Sequence, residues 1–278
     1  MSISRAVSID PNYANRQGYD PLFLGIPVPL PTLSPEQSGQ AIMPPLPYHH
    51  FSVVMHAHRR LAIYTAVNIN GAQAKRLRRE PDRWSYDPRL PAESQLDAAF
   101  YQGNALDLGH LVRRLDPTWG TLAKAANDDT FHLTNAAPQH ASFNRTKPLW
   151  AGLEDYLLKN TELNALKLSV FTGPVLREDD PIFNSVQLPR AFWKVAVMHT
   201  AGGMLLSTAY LLDQSELLTH LAQRDFELGA FRTFQLPVRE VEQRSHLLFG
   251  ELDTRDPLRN HRALGMIELT SLKQIVHQ

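Results

Sequence analysis

His110 closes the tetrapeptide Asp107-Leu108-Gly109-His110, and an amide-rich run follows it: Phe131-His132-Leu133-Thr134-Asn135-Ala136-Ala137-Pro138-Gln139-His140-Ala141-Ser142-Phe143-Asn144. Glu154 stands a little further along. A histidine, several amides and a carboxylate within one short region suit single-metal phosphodiester cleavage. An imidazole titrates near neutral pH and can take a proton from water. An amide oxygen can hold a hard cation such as Mg²⁺, which takes oxygen ligands and keeps most of its waters. A carboxylate can orient those waters.

Such residues need elements to position them. His50-Phe51-Ser52-Val53-Val54-Met55 and the stretch 59–69 are β-branched and aromatic, and predict an antiparallel pair turning near Ala57 and His58 and ending at Asn70-Gly71. Further strands are expected over 131–134, 168–176, 192–198, 204–211 and 233–238, and a helix is expected to begin at Arg239. A helix is also expected over 149–159, because Leu149, Leu153, Tyr156 and Leu157 recur at spacings of three and four; Glu154 falls beside that stripe, placed to face a cleft. Residues 73–100 are polar and irregular, and contain the basic run Lys75-Arg76-Leu77-Arg78-Arg79. Residues 1–47 are rich in proline and read as an extended arm laid over the surface. The expectation is therefore an α+β fold, a mainly antiparallel sheet with flanking helices, divided into the arm (1–47) and one domain (48–278).

Composition narrows the chemistry. The chain has 278 residues, 43% hydrophobic and 20% charged, with Lys+Arg and Asp+Glu both 28. Zero net charge means that any surface for an anionic polymer must be local. With no cysteine, thiolate metal sites and cysteine nucleophiles are excluded. The first residues lack the apolar core of a secretory signal, and no apolar run approaches the ~18 residues of a membrane span. A cytoplasmic location, or export by a signal-peptide-independent route, is the expectation. His49, His50, His56 and His58 invite a zinc reading, but no third ligand follows at a recognisable spacing, so a turn or surface cluster is favoured.

The order and spacing of several elements go further. Asp107-Leu108-Gly109-His110, then Thr134-Asn135-Ala136-Ala137-Pro138-Gln139, then Asn144, then Trp150-Ala151-Gly152-Leu153-Glu154 resemble the signature of the DNA/RNA non-specific endonucleases, enzymes with a ββα-metal core. Flanking segments agree, among them Thr65-Ala66-Val67-Asn68-Ile69-Asn70-Gly71, Phe171-Thr172-Gly173-Pro174 and Phe192-Trp193-Lys194-Val195, so that the resemblance covers roughly residues 18 to 250. It implies a metal-dependent, sugar-non-specific endonuclease that cleaves DNA, RNA or both and leaves a 5′-phosphate. On that resemblance His110 is the general base, Asn144 holds Mg²⁺ (or Mn²⁺), Glu154 binds the metal waters, and Asn135 holds the histidine ring or the substrate. Gln139 is assigned either to loop backbone or to phosphate.

Three departures stand out. Leu108 occupies the place of the family's phosphate-binding arginine; Arg113 and Arg114 follow closely and are candidates for that charge, with ordinary surface arginines as the alternative. The spacer from Asn144 to Trp150 is long and carries Arg145 and Lys147. The upstream phosphate-contacting arginine precedes a Trp-x-x-Asp-Pro element, which here is Trp84-Ser85-Tyr86-Asp87-Pro88 preceded by Arg83, one position off register; Arg83 or Arg79 could serve. Leu108 motivates the rival expectation of a catalytically weak nucleic-acid-binding relative. An inhibitor or activating ligand is expected to restrain a non-specific nuclease, and homodimers occur among such enzymes.

Overall fold

The apolar runs at 51–70 and 167–213 all enter one sheet. The computed structural model describes residues 9–79, 81–141, 161, 165–200, 203–218, 232–259 and 265–276. Its strands are β1 (Thr32–Leu33), β2 (Ala41–Pro47), β3 (Phe51–His56), β4 (Ala62–Asn70), β5 (Leu106–His110), β6 (Ala136–His140), β7 (Lys167–Val175), β8 (Ile182–Phe183), β9 (Val186–Gln187), β10 (Ala191–His199), β11 (Leu205–Asp213), β12 (Arg232–Leu236), β13 (Leu247–Leu248) and β14 (Ile267–Glu268). Eight of them form an antiparallel sheet in the order β14-β12-β11-β10-β7-β4-β3-β2, while β5–β6, β1–β13 and β8–β9 are separate pairs.

Both faces of the large sheet are covered, which is why its central strands read as continuous rather than alternating apolar runs. On one face Val67, Ile69, Leu168, Val170, Phe192 and Ala196 pack with Leu111, Val112 and Ala137 from the β5–β6 region. On the other face Tyr64, Ala66, Phe171, Trp193, Val195 and Val197 pack with Tyr19, Phe23, Leu24 and Val28, and with Val238 and Val241 of the helix Val238–Ser245. Each such side chain contributes about 1.5–3 kcal/mol by leaving water.

Most expected strands and the helix after residue 237 are present with small shifts of their ends. The strand expected over 131–134 is not. Leu133–Asn135 is a 3-10 turn, and the strand begins only at Ala136. Local hydrogen bonds win here over a ladder: Thr130 Oγ1 donates to the Asn127 carbonyl, His132 Nδ1 donates to the Asp129 carbonyl, and the Asn135 N–H donates to the His132 carbonyl. Pro138 is tolerated in β6 because β6 pairs with β5 alone. The histidines at 56–58 build a turn: the backbone N–H groups of His58 and Arg59 donate to His56 Nδ1 at 3.1 and 3.2 Å. Burial, then the charges of Arg59 and His58, push the His56 pKa down to about 4. The helix expected over 149–159 lies outside the described residues.

The proline-rich arm is more than a surface strap. Residues 41–47 form β2, the outer strand of the main sheet, with a register shift between Ile42 and Leu46 around Pro44-Pro45. Further upstream, Arg16 is 4% exposed and reaches Asp129: its Nε and Nη2 donate to the two carboxylate oxygens at 2.9 and 2.7 Å. The His49 backbone N–H also donates to Asp129, and His49 Nδ1 lies 2.8 Å from the same oxygen. Burial alone would raise the Asp129 pKa, but the His49 and Arg16 hydrogen bonds and the Arg16 charge hold it below the ordinary carboxylate range. Tyr13 completes the contact, donating from its hydroxyl to His132 Nε2 at 2.7 Å.

In β5–β6, Asp107 faces Gln139 and Gly109 faces Ala137. The diagonal between Gly109 and Gln139 is closed: a Cβ on Gly109 would fall inside the Gln139 side chain, which is 5% exposed. Glycine is required there by space and not by backbone angle.

Two outcomes follow. Gly109→Ala should cost about 1–3 kcal/mol of stability through overpacking, read as a lower urea midpoint at unchanged slope, and Gly109→Ala with Gln139→Ala should recover most of it; equal losses in both variants would show that Gln139 is not the obstacle. Arg16→Ala strands a buried carboxylate, which should cost about 3–5 kcal/mol at neutral pH. That deficit should shrink as pH falls through the lowered Asp129 pKa, because the stability contributed by a depressed carboxylate is present above its unfolded value of 3.8 and lost below its folded one. Thermal melts of parent and variant across acidic pH read it directly.

Candidate active site

His110 sits at the last position of β5, where the chain leaves a short two-stranded pair and turns into the core. The two residues after it, Leu111 and Val112, are each 1% exposed. Asn135 fixes that turn. Its side-chain oxygen accepts from the Val112 N–H, its Nδ2 donates to the carbonyls of Val112 and Thr130, each at 2.9 Å, and its own carbonyl accepts from the Leu111 N–H at 3.0 Å. The Asn135 amide is thus spent on backbone. It holds the chain behind His110 and not the imidazole itself.

The His110 ring belongs to an aromatic cluster. Its centroid lies 4.5 Å from Trp84 and 5.0 Å from Phe131, the latter edge-on, with Trp84 and Phe131 5.5 Å apart. Backbone bonds bring Trp84 there: the Ser85 N–H donates to the Phe131 carbonyl at 3.0 Å, and the Leu133 N–H donates to the Ser85 carbonyl at 2.9 Å. Asp87, next along, accepts from Tyr48 and Arg89 and from the Arg89 backbone, so the Asp-Pro element anchors the segment that carries Trp84. Trp84 and Phe131 were visible in the sequence only as parts of longer motifs. The usable signal was an aromatic residue beside each of two segments that had to converge on one histidine.

Cations surround the imidazole. Burial, then the positive charges of Arg114, Arg113 and Arg79, push the His110 pKa down to about 3. The ring is uncharged at neutral pH, and its Nε2 is buried with no hydrogen-bond partner among the described residues. Arg114 is itself pulled below its ordinary value by burial and by the Arg79 charge. The turn that carries Arg113 and Arg114 is fixed from behind: Asn127 Nδ2 and Thr118 Oγ1 both donate to the Arg114 carbonyl, at 2.9 and 2.7 Å. Arg79 is exposed, with a 3.2 Å ion pair to Asp82. Arg83 is exposed on the residue before Trp84.

The structure therefore gathers His110, Arg113, Arg114 and Arg79, with Asn135 as a backbone brace and Gln139 packed over Gly109. Leu108, in the arginine position of the motif, packs against the apolar cluster of Leu61, Leu96, Tyr101, Leu106 and Leu188. Asn144 and Glu154 lie outside the described residues. Among the described residues no group of three or more histidines and carboxylates could hold a metal.

Comparison with known proteins bears on the family and the fold. The family model for DNA/RNA non-specific endonucleases matches residues 31–254. A Sinorhizobium fredii protein designated y4fB is 39% identical over 262 residues, 86% of this chain and 40% of that one. Human mitochondrial endonuclease G is 29% identical over 197 residues, 65% of this chain and 62% of that one. The chain thus spans less than two thirds of the length of these relatives. A chain in the crystal structure of the EndoG/EndoGI complex shares the fold with a TM-score of 0.60 and 21% identity, over 77% of this chain and 88% of that one. The match over most of its length shows that the chain belongs to the DNA/RNA non-specific endonuclease family.

Proposed function

We propose that this chain is a metal-dependent endonuclease that hydrolyses phosphodiester bonds in DNA, RNA or both, with His110 as general base. The observation that carries the reading is the His110 imidazole at the end of β5, its Nε2 buried with no hydrogen-bond partner among the described residues and within reach of the charges of Arg114, Arg113 and Arg79. The cations that draw a phosphate toward the site add to burial in keeping the base free of its proton. His110 takes a proton from the attacking water, while Asn135 keeps the chain behind it fixed. Arg113, Arg114 and Arg79 meet the non-bridging oxygens; Arg83, on the exposed side, lies along the approach of the strand. Asn144 would hold the cation, Mg²⁺ or Mn²⁺, with Glu154 on its waters, and when bound that ion would supply positive charge at the phosphate and the departing oxygen.

Leu108 favours a second reading, a relative that binds nucleic acid and cuts it poorly. Its side chain serves the packing of β5, so the charge that the motif usually carries there is absent from that position. An inhibitor protein is a plausible partner by analogy with the complex that shares the fold, in which EndoG is bound by EndoGI.

His110→Ala should reduce plasmid nicking in Mg²⁺ by ~10²–10⁴-fold with gel-shift affinity retained. Nicking at the wild-type rate by that variant would remove His110 from the mechanism, and tight binding without nicking by the wild type in either metal would favour the second reading. The pH dependence has a defined sign. With its pKa depressed, His110 stays neutral as pH falls through the ordinary histidine value of 6.5, and gains a proton only on approach to about 3. Its ring resonances, assigned by difference from His110→Ala, should therefore show no titration between pH 8 and 5 in the free protein. An inflection near 6.5 would mean that the arginines do not act on the ring.

A further inference from the structure

Two segments meet near His110 and again further off. One is 110–119, which carries Arg113 and Arg114; the other comprises the described residues between 73 and 84, among them Lys75, Arg78, Arg79 and Trp84. Contact between Trp84 and His110 joins them at one end. At the other end three backbone bonds and bridges tie them: the Lys75 N–H donates to the Thr118 carbonyl at 2.9 Å, the Gly120 N–H donates to the Gln73 carbonyl at 3.0 Å, and Ala74 bridges Trp119. At this far end is an open depression of about 470 Å³ lined by His50, Gln73, Lys75, Trp119, Gly120, Thr121 and Leu122.

The depression has the composition of a base-binding platform. His50 and Trp119 lie parallel, 9° apart, with centroids 3.5 Å apart. Both rings are pinned: Trp119 Nε1 donates to the Asn68 carbonyl at 2.8 Å, and His50 Nδ1 donates to the Pro117 carbonyl at 2.8 Å. Leu122 is 42% exposed although apolar. Lys75 supplies a positive charge, and no carboxylate lines the depression. Its volume falls in the ~300–1,000 Å³ range of small-ligand sites. Lys75 and Arg79 are four residues apart, at most about 14 Å of extended chain, so the platform lies a few nucleotides from the phosphate that His110 would attack.

We propose that this depression is a nucleobase subsite. It takes an unpaired base of the substrate strand on the side of the His50 ring away from Trp119, which backs it at 3.5 Å and itself packs on Phe23, while the basic run from Lys75 to Arg79 carries the intervening backbone toward His110. The proposal rests on the nuclease reading and extends it to a substrate class, single-stranded or locally unpaired nucleic acid, because a base inside a duplex has no free face to offer such a platform. Sequence preference is not required of it, since every base has a π-face.

The test uses the His110→Ala protein, which binds without cutting, and fluorescein-labelled oligothymidylates of increasing length beside a blunt hairpin duplex. Affinity should rise when the strand becomes long enough to reach the depression. Leu122→Glu, at an exposed position, should abolish that rise, a loss of roughly tenfold as expected for one stacked base, and leave the shortest oligomer and the duplex unaffected. Trp119→Phe should keep the rise and Trp119→Leu lose it, with melting curves confirming that both fold. An unchanged length dependence in Leu122→Glu and Trp119→Leu overturns the subsite, as does an equal loss for the shortest oligomer. The nuclease reading is judged separately, by plasmid nicking with wild type and His110→Ala, so either can fail alone.

Discussion

Asp129 is the contact on which the placement of the site depends. It ends the helix Ala123–Asp129, is 1% exposed, and among the described residues its carboxylate is satisfied by groups brought from elsewhere in the chain: Arg16 from the arm and His49 from the entry to β3. Its carbonyl holds His132 in turn, and the segment from Phe131 to Asn135 then presents one residue to the His110 ring and another to the backbone behind it. A buried carboxylate is costly unless it is paired and hydrogen-bonded, so the arm must be in place before this turn has its final shape. The arm, the main sheet and the β5–β6 pair are coupled through that one residue.

The inner strands of the large sheet, β3, β4, β7, β10, β11 and β12, were legible in the sequence because they are apolar and β-branched, while β2 was hidden by its prolines and β14 by its two-residue length. Nor was the β5–β6 region legible. Leu106–His110 contains an aspartate and a glycine and is held by pairing with β6 and by the packing of Leu106 and Leu111, contacts distant in sequence. The run 131–134 looks like a strand by composition, yet the side chains of Thr130, His132 and Asn135 take up backbone groups that a ladder would need. His110 was singled out by its motif alone. The use of Asn135 was not readable, since an amide that clamps two carbonyls and an amide that faces substrate are the same letter. Trp84 and Phe131 escaped notice for a similar reason: their role is set by backbone bonds between Ser85 and residues 131–133.

The electrostatics of His110 carry an internal economy. A buried imidazole among three guanidinium groups would be costly if charged, and the chain avoids that cost by keeping it neutral. On the proposed mechanism, an anion arriving at the arginines would offset their charge and raise the affinity of the imidazole for a proton. Leucine at position 108 adds no further cation to this region and contributes to the packing that holds β5.

The outer strand β2 has a consequence for how copies of this protein meet. Pro44 and Pro45 have no backbone N–H to donate, and the register breaks between Ile42 and Leu46. The edge of an eight-stranded sheet is ordinarily a template for a foreign strand. Here it ends in residues that cannot propagate a ladder, and the opposite edge is only the two-residue β14. Growth of the sheet into cross-β aggregates is blocked at the rim by the same prolines that made the arm look structureless.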